Sequence, residues 1–208
     1  MLVAKDLEFA YNERNSFRFP DINCRQGEHW LISGPSGCGK TTFLHLLAGL
    51  LRPGSGSIHI NDTDIVQLKK SALDTFRGRN IGIVFQRSFF IRSLSVRKNI
   101  LLAQYMAGAK QDRAKADSIL ESLNIIDKAT EKPDNLSQGE QQRLSIARSI
   151  INDPGVILAD EPTSSLDDNN CEEMISLIEG WAREQGASLL IVTHDQRMKD
   201  RFKNQIIL

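Results

Sequence analysis

Gly34-Pro35-Ser36-Gly37-Cys38-Gly39-Lys40-Thr41 fits the spacing G-x-x-x-x-G-K-[ST]. Glycines so placed let successive backbone N–H groups turn inward around phosphate oxygens, where a helix N-terminus adds a favourable dipole. A lysine at position 40 then reaches the β- and γ-phosphates of a nucleoside triphosphate, and the Thr41 hydroxyl is a ligand for Mg²⁺. Thr42 extends the same binding loop. A second chemical centre is VILADEP (156–162), an apolar run that ends in two carboxylates. Adjacent acids at the end of a buried strand are costly unless they are charge-paired or bound to metal. Asp160 suits Mg²⁺, through water, and Glu161 suits a general base or a positioner of the attacking water. The two centres together point to hydrolysis of a nucleotide.

Such groups need rigid elements behind them. HWLIS (29–33) reads as a strand feeding the glycine-rich loop, and 41–51 reads as a helix closed by Arg52, Pro53 and Gly54. The first sixty residues otherwise read as short strands broken by turns, with Ser57 to Ile60 as one of them. IGIVF (81–85), VILA (156–159) and LLIVT (189–193) are brief apolar runs of the kind buried on both faces of a central sheet. Helical spacing is carried by Ile119, Leu120 and Leu123 in 112–124, and by Leu144, Ala147, Ile150 and Ile151 in 140–151. Met174, Ile175, Ile178, Trp181 and Ala182 carry it in 170–185, with Gly186 at the stop. Alternation of strand, loop and helix predicts an α/β core with a largely parallel sheet. The stretch from Gln86 to Pro133 is mostly helical and reads as an insert in that core.

LSQGEQQR (136–143) precedes an amphipathic helix. Ser137 and Glu140 have the S-x-x-E spacing of a helix capping box. Capping alone does not call for Gly139, Gln141, Gln142 and Arg143 as well. This segment resembles the signature motif of ATP-binding cassette (ABC) ATPases, usually LSGGQ followed by Q-x-R. Further motifs follow that resemblance in order. Gln86, 46 residues after Lys40, matches the Q-loop glutamine, and SSLD (164–167) resembles the D-loop, usually SALD. His194, 34 residues after Asp160, matches the switch histidine. Tyr11 sits where the family places an aromatic that stacks on adenine. Two departures stand out: Gln138 and Glu140 replace the usual glycine and glutamine of the signature, and Ser165 replaces the D-loop alanine.

The resemblance implies an α/β P-loop NTPase core with a mostly parallel sheet, an antiparallel β part near the N-terminus and an inserted helical subdomain. Residues 1–208 then form one ABC ATPase domain, with the core at about 1–86 and 155–208 and the helical insert, signature helix included, at about 87–154. It implies ATP and Mg²⁺ as ligands. Glu161, His194, Lys40 and Gln86 take catalytic roles, and Thr41, Gln86 and Asp160 hold the metal. The phosphates fall to Gly34, Pro35, Ser36, Gly37, Cys38, Gly39, Lys40, Thr41 and Thr42, the base to Tyr11. Ser137 and Gly139 of a second copy complete each site, so the expected assembly is a dimer with two ATP between its halves. Separate transmembrane permease subunits are the other expected partner, and the expected place is the cytoplasmic face of the inner membrane. LLRPGSGSIHINDTDIVQL, FRGRNIGIVFQ and SLSVRKNILLAQYMAG resemble the cassettes of lipoprotein-releasing and macrolide-exporting bacterial transporters. The groove around Gln86 and the helical segment that follows, near Phe89, Phe90 and Leu94, is the expected docking surface for the membrane partner; the alternative for the two phenylalanines is the core of the insert.

Composition fits this reading. Lys+Arg and Asp+Glu are 26 each, a zero net charge that argues against nucleic-acid affinity by bulk charge. The longest apolar run, 43–51, has nine residues, against the 18 or more of a membrane span. The N-terminus lacks a secretory h-region. Three scattered cysteines, Cys24, Cys38 and Cys171, do not make a disulfide or zinc framework. A reduced intracellular protein is therefore expected. The chain runs 14 residues past His194, so no C-terminal regulatory domain is expected either. Cassettes that act on chromosomes carry a long coiled coil between P-loop and signature, and the 97 residues from Lys40 to Ser137 leave no room for one. Translation-factor cassettes come two to a chain. The remaining alternative is a regulatory module that binds ATP with little turnover; intact Glu161 and His194 argue against it, and the altered signature keeps it open.

Overall fold

The computed structural model describes residues 1–12, 15–87, 89–162, 168–194 and 198–208, with the backbone alone described for 168–170. Five strands form a parallel sheet in the order β10 (Asn204–Ile207), β4 (His29–Ser33), β9 (Ser188–Val192), β8 (Val156–Asp160), β7 (Ile81–Val84). Every residue of β8 and β9 is buried, as parallel strands covered on both faces require. Their side chains alternate between two apolar layers. Ile157 and Ala159 join one core with helices α3 (Val96–Met106), α4 (Arg113–Ser122), α5 (Gln138–Ile150) and α6 (Asp168–Gln185). Val156 and Leu158 join the other, with α1 (Lys40–Leu47) and the N-terminal sheet.

That second sheet is antiparallel. Its order is β2 (Asn15–Arg18), β1 (Leu2–Asn12), β5 (Ser55–Ile60), β6 (Thr63–Asp64), with β3 (Ile22–Cys24) also pairing to β1. The N-terminal strands are not all short: β1 runs for 11 residues, with a bulge where the register to β5 shifts between Lys5 and Glu8. Phe43 of α1 is fully buried beneath this sheet and stacks on Phe19 at 4.8 Å. Truncating it to alanine removes about 3–5 kcal/mol of packing.

The helix expected over 41–51 ends earlier, at Leu47. Gly49 turns left-handed (φ 63°), and the amides of Leu50 and Leu51 fold back onto the His45 carbonyl at 2.9 and 3.2 Å. The sequence reading also lacked α2 (Lys70–Asn80), a polar helix with no fully buried residue, and β10. Helices α3 to α5 lie between β7 and β8 in the chain, as expected for 86–133 and the signature helix. They share one continuous core with the sheet. At Gly82 in β7 a Cβ would stand 2.5 Å from the Ser149 carbonyl, so glycine is what lets α5 lie this close to the sheet.

Candidate active site

The carboxyl ends of β4, β7, β8 and β9 carry, in turn, the glycine-rich loop, Gln86, Asp160–Glu161 and His194. Ligands of open α/β sheets sit at such strand ends. Gly39 is the N-cap of α1 in a left-handed conformation (φ 98°) and supplies no side-chain cap. The first-turn amides are thereby left for an outside acceptor. A Cβ on Gly39 would also stand 2.8 Å from the Phe17 ring, so a side chain is excluded twice over. Lys40 is buried, and its Nζ donates to the carbonyls of Gly34 and Pro35, both at 2.9 Å. The lysine thus braces the curl of the loop with its charge held inside it.

A cleft of about 370 Å³ is lined by Phe17, Ser36, Gly37, Gly39, Lys40, Thr41, Thr42, Gln86, Glu161 and His194. An adjoining one of about 600 Å³ brings in Gly34, Pro35 and Lys199. Tyr11, more than half exposed at the end of β1, exchanges a hydrogen bond with the Thr42 hydroxyl at 3.2 Å. Its ring meets Phe9 edge-on at 4.8 Å and Phe17 at 6.4 Å. Sequence reasoning missed Phe17. The only signal was its place in FRF beside the aromatic run of β1, which it faces across the Phe9–Phe17 pair. Cys38 is half-buried in the loop, whereas Cys24 and Cys171 are buried.

Asp160 is buried at the end of β8 and accepts a hydrogen bond from the Thr41 hydroxyl at 3.2 Å. Burial pushes its carboxyl above the usual carboxylate range, partly offset by that bond. A buried carboxylate beside a hydroxyl, both oxygen donors, fits a hard divalent cation. Among the described residues no group of three or more His, Cys, Asp or Glu side chains could hold a metal by itself. Mg²⁺ takes one or two protein ligands and completes its shell with phosphate and water, and Thr41 and Asp160 offer two such oxygens.

Glu161 follows in a left-handed backbone conformation (φ 46°), a strained position for a residue with a side chain. Its amide is pinned to the Val192 carbonyl of β9 at 2.8 Å. The turn aims the carboxylate across to His194, whose Nδ1 lies 2.7 Å from Oε1, and the Thr193 hydroxyl approaches Oε2 at 3.4 Å. A carboxylate only accepts, so the bond places the imidazole proton on Nδ1. His194 itself is largely exposed to the cleft.

Ser137 and Gly139 are not brought to this cleft. They open α5, where Ser137 and Glu140 form the reciprocal capping box that their spacing predicts. Glu140 Oε2 accepts from the Ser137 amide at 2.7 Å and from the Ser137 hydroxyl at 2.8 Å, and the Glu140 amide donates to that hydroxyl at 3.3 Å. A Cβ on Gly139 would meet nothing within 4 Å. SSLD (164–167) lies outside the described residues.

The segment after Gln86 is held by two residues that sequence reasoning did not single out. Buried Asn99 bonds the amide and carbonyl of Ile91 at 2.9 and 3.1 Å. Arg148 of α5 donates to the Phe89 carbonyl and lies 5.1 Å over the Phe90 ring. This divides the two phenylalanines expected to act together. Phe89 is 68% exposed, while Phe90 packs against the helical core.

The ABC transporter family profile matches residues 19–164. The chain is 36% identical to the lipoprotein-releasing system ATP-binding protein LolD of Porphyromonas gingivalis, over 95% of its own length and 91% of the relative's. An uncharacterized ABC transporter ATP-binding protein of Mycobacterium bovis is 43% identical over 85% of this chain, which spans 54% of that relative. Among solved structures, the ATP-binding cassette MJ0796, as a dimer in a post-hydrolysis state bound to ADP and Pi, is similar with a TM-score of 0.90. Identity there is 31%, covering 100% of this chain and 94% of the other.

Proposed function

This chain belongs to the ABC transporter family and is an ATP-hydrolysing cassette, and we propose that it works as half of an ATP-sandwich dimer that drives separate membrane permease subunits. One observation carries the chemical part: Lys40, Thr41, Gln86, Glu161 and His194, from four separate strand ends, line one cleft, with Asp160 bonded to Thr41 at 3.2 Å and Glu161 to His194 at 2.7 Å.

The roles follow from that geometry. The α1 amides and Lys40 bind the β- and γ-phosphates, and Lys40 exchanges two carbonyl contacts for phosphate oxygens. Tyr11 and Phe17 form an aromatic wall for the adenine. Thr41, Asp160 and Gln86 would hold Mg²⁺, which when bound would supply charge neutralisation on the phosphates. Glu161 orients a water and takes its proton as the water oxygen bonds to the γ-phosphorus. The bond from that phosphorus to the bridging oxygen breaks, and ADP leaves with the electron pair. His194 fixes the Glu161 carboxylate through Nδ1 and leaves its other ring nitrogen facing the cleft. Ser137 and Gly139 of the second copy complete the γ-phosphate site.

The core shared by α3 to α6 and the sheet supports reading 1–208 as one domain, with core 1–86 and 155–208 and insert 87–154. Among the described residues no helix is long and apolar enough to cross a membrane, which is consistent with permease subunits on other chains. Exposed Phe89 and Ile91, next to Gln86, are the proposed contact for them. The likeness to a lipoprotein-releasing cassette supports a place on the cytoplasmic face of the inner membrane and work on extracytoplasmic substrates, with no nucleic acid as partner. The test is Glu161→Gln, which keeps the shape and removes the charge. ATP binding should persist while steady-state hydrolysis falls on the order of 10²–10⁴-fold. Unchanged turnover would remove Glu161 from the mechanism.

A further inference from the structure

The Ser137 hydroxyl has one proton and two lone pairs. In this chain the proton goes to Glu140 Oε2 at 2.8 Å, and one lone pair takes the Glu140 amide at 3.3 Å. A phosphate oxygen of ATP is an acceptor and needs that same proton. A carboxylate holds it more firmly than an amide oxygen does. It also sets a negative charge within hydrogen-bond reach of the place where a γ-phosphate must arrive. The cation facing Glu140 offsets this only in part: Lys128 Nζ is 3.9 Å from Oε1, and at 3.2 Å it is closer to Asp127. No other cationic side chain comes within 4.0 Å of Glu140 among the described residues.

We infer that Glu140 is a positioning residue that holds the Ser137 proton in the lone chain, so that ATP on a second copy closes the dimer only by displacing the Glu140 carboxylate. The inference rests on the proposed reading of Ser137 as a contact to the second copy's γ-phosphate. It assigns a consequence to the glutamate that this chain carries where the family usually has glutamine. The signature is self-occupied in the monomer, and the ATP concentration needed for dimerisation is raised.

The experiment measures, by light scattering across an ATP titration in the Glu161→Gln background, the ATP concentration at half-maximal dimer. In the otherwise unmodified chain it measures KM and kcat. Glu140→Gln retains an acceptor oxygen for the cap, so melting temperature serves as the control for folding. The expected result is a fall of about tenfold in the ATP requirement, the factor of one charge-assisted hydrogen bond. KM should fall with it, and by more than any change in kcat. Glu140→Ala weakens the helix cap and should lower the melting temperature, yet it should shift the ATP requirement in the same direction. A merely structural glutamate predicts the opposite shift. Adding Ser137→Ala to Glu140→Gln should abolish the gain. An equal or higher ATP requirement in Glu140→Gln overturns the inference. If Ser137→Ala alone already leaves dimerisation unchanged, the composite site fails too. If Ser137→Ala impairs dimerisation and Glu140→Gln changes nothing, the inference alone fails.

Discussion

At the carboxyl end of the parallel sheet five chemical groups have partners inside the chain. Lys40 braces two loop carbonyls, Thr41 meets Asp160, and His194 meets Glu161. At the amino end of α5, Gly139 faces open space and the Ser137 hydroxyl is engaged by its own turn. The first region is preassembled because it sits on strand ends that two buried cores hold rigid. The second is a helix start that satisfies its own donors and contributes nothing to the cleft of its own chain. The difference teaches how the proposed dimer would divide the work: the binding and hydrolysis groups are assembled within one subunit, and a second subunit would complete the site, so that turnover is gated by association.

The largest test of the preassembled side is Asp160→Asn. Hydrolysis should fall on the order of 10²-fold or more, because the charge proposed to hold Mg²⁺ is lost. Stability should move the other way. Burial raises the Asp160 pKa in the folded chain, so the folded state binds a proton more readily than the unfolded one, and stability falls as pH rises from the unfolded value of 3.8. The asparagine does not ionise and lacks this cost, so near neutral pH its ligand-free melting temperature should rise by a few degrees. A lower melting temperature would show that Asp160 helps to hold the apo fold together.

A smaller effect separates the two neighbours after Gln86. Phe90→Ala should destabilise the isolated chain by about 2 kcal/mol, since its ring lies under Arg148 against the core. Phe89→Asp should leave the melting temperature and basal ATPase of the isolated chain unchanged and weaken co-purification with the membrane subunits. Equal destabilisation by the two would mean that the exposed ring is structural.

The smallest contrast is between thiols. Burial pushes the Cys24 thiol up to about 11, which keeps it unreactive, while half-buried Cys38 lies in the phosphate loop. An alkylating reagent should block ATP binding through Cys38, with MgATP protecting, and Cys38→Ser should be resistant. Continued inhibition of that variant would point to Cys24 or Cys171.

Much of the preassembled side was legible in sequence because its motifs sit at the ends of wholly apolar strands, where residue order and spatial order agree. The capping box was legible for the same local reason, since Ser137 and Glu140 are three residues apart. What the sequence hid was tertiary. Phe89 and Phe90 are equivalent by type and spacing, and distant contacts set them apart: Arg148, 58 positions on from Phe90, lies over the Phe90 ring, and the helical core packs against it. Polar α2 has too weak an apolar face to announce a helix, and the extended run of β1 was masked by its bulge. Phe17 enters the site only because β2 folds back beside β1 and sets its ring against the phosphate loop.

The central claim is that the site finished in one chain is completed by Ser137 and Gly139 of another. Sedimentation velocity on the Glu161→Gln chain tests it most directly. With MgATP the protein should sediment as a dimer, with MgADP as a monomer, and the added change Ser137→Ala should return the MgATP sample to monomer while nucleotide stays bound. A chain that binds MgATP to saturation and remains a monomer, or a dimer that survives Ser137→Ala, would contradict it.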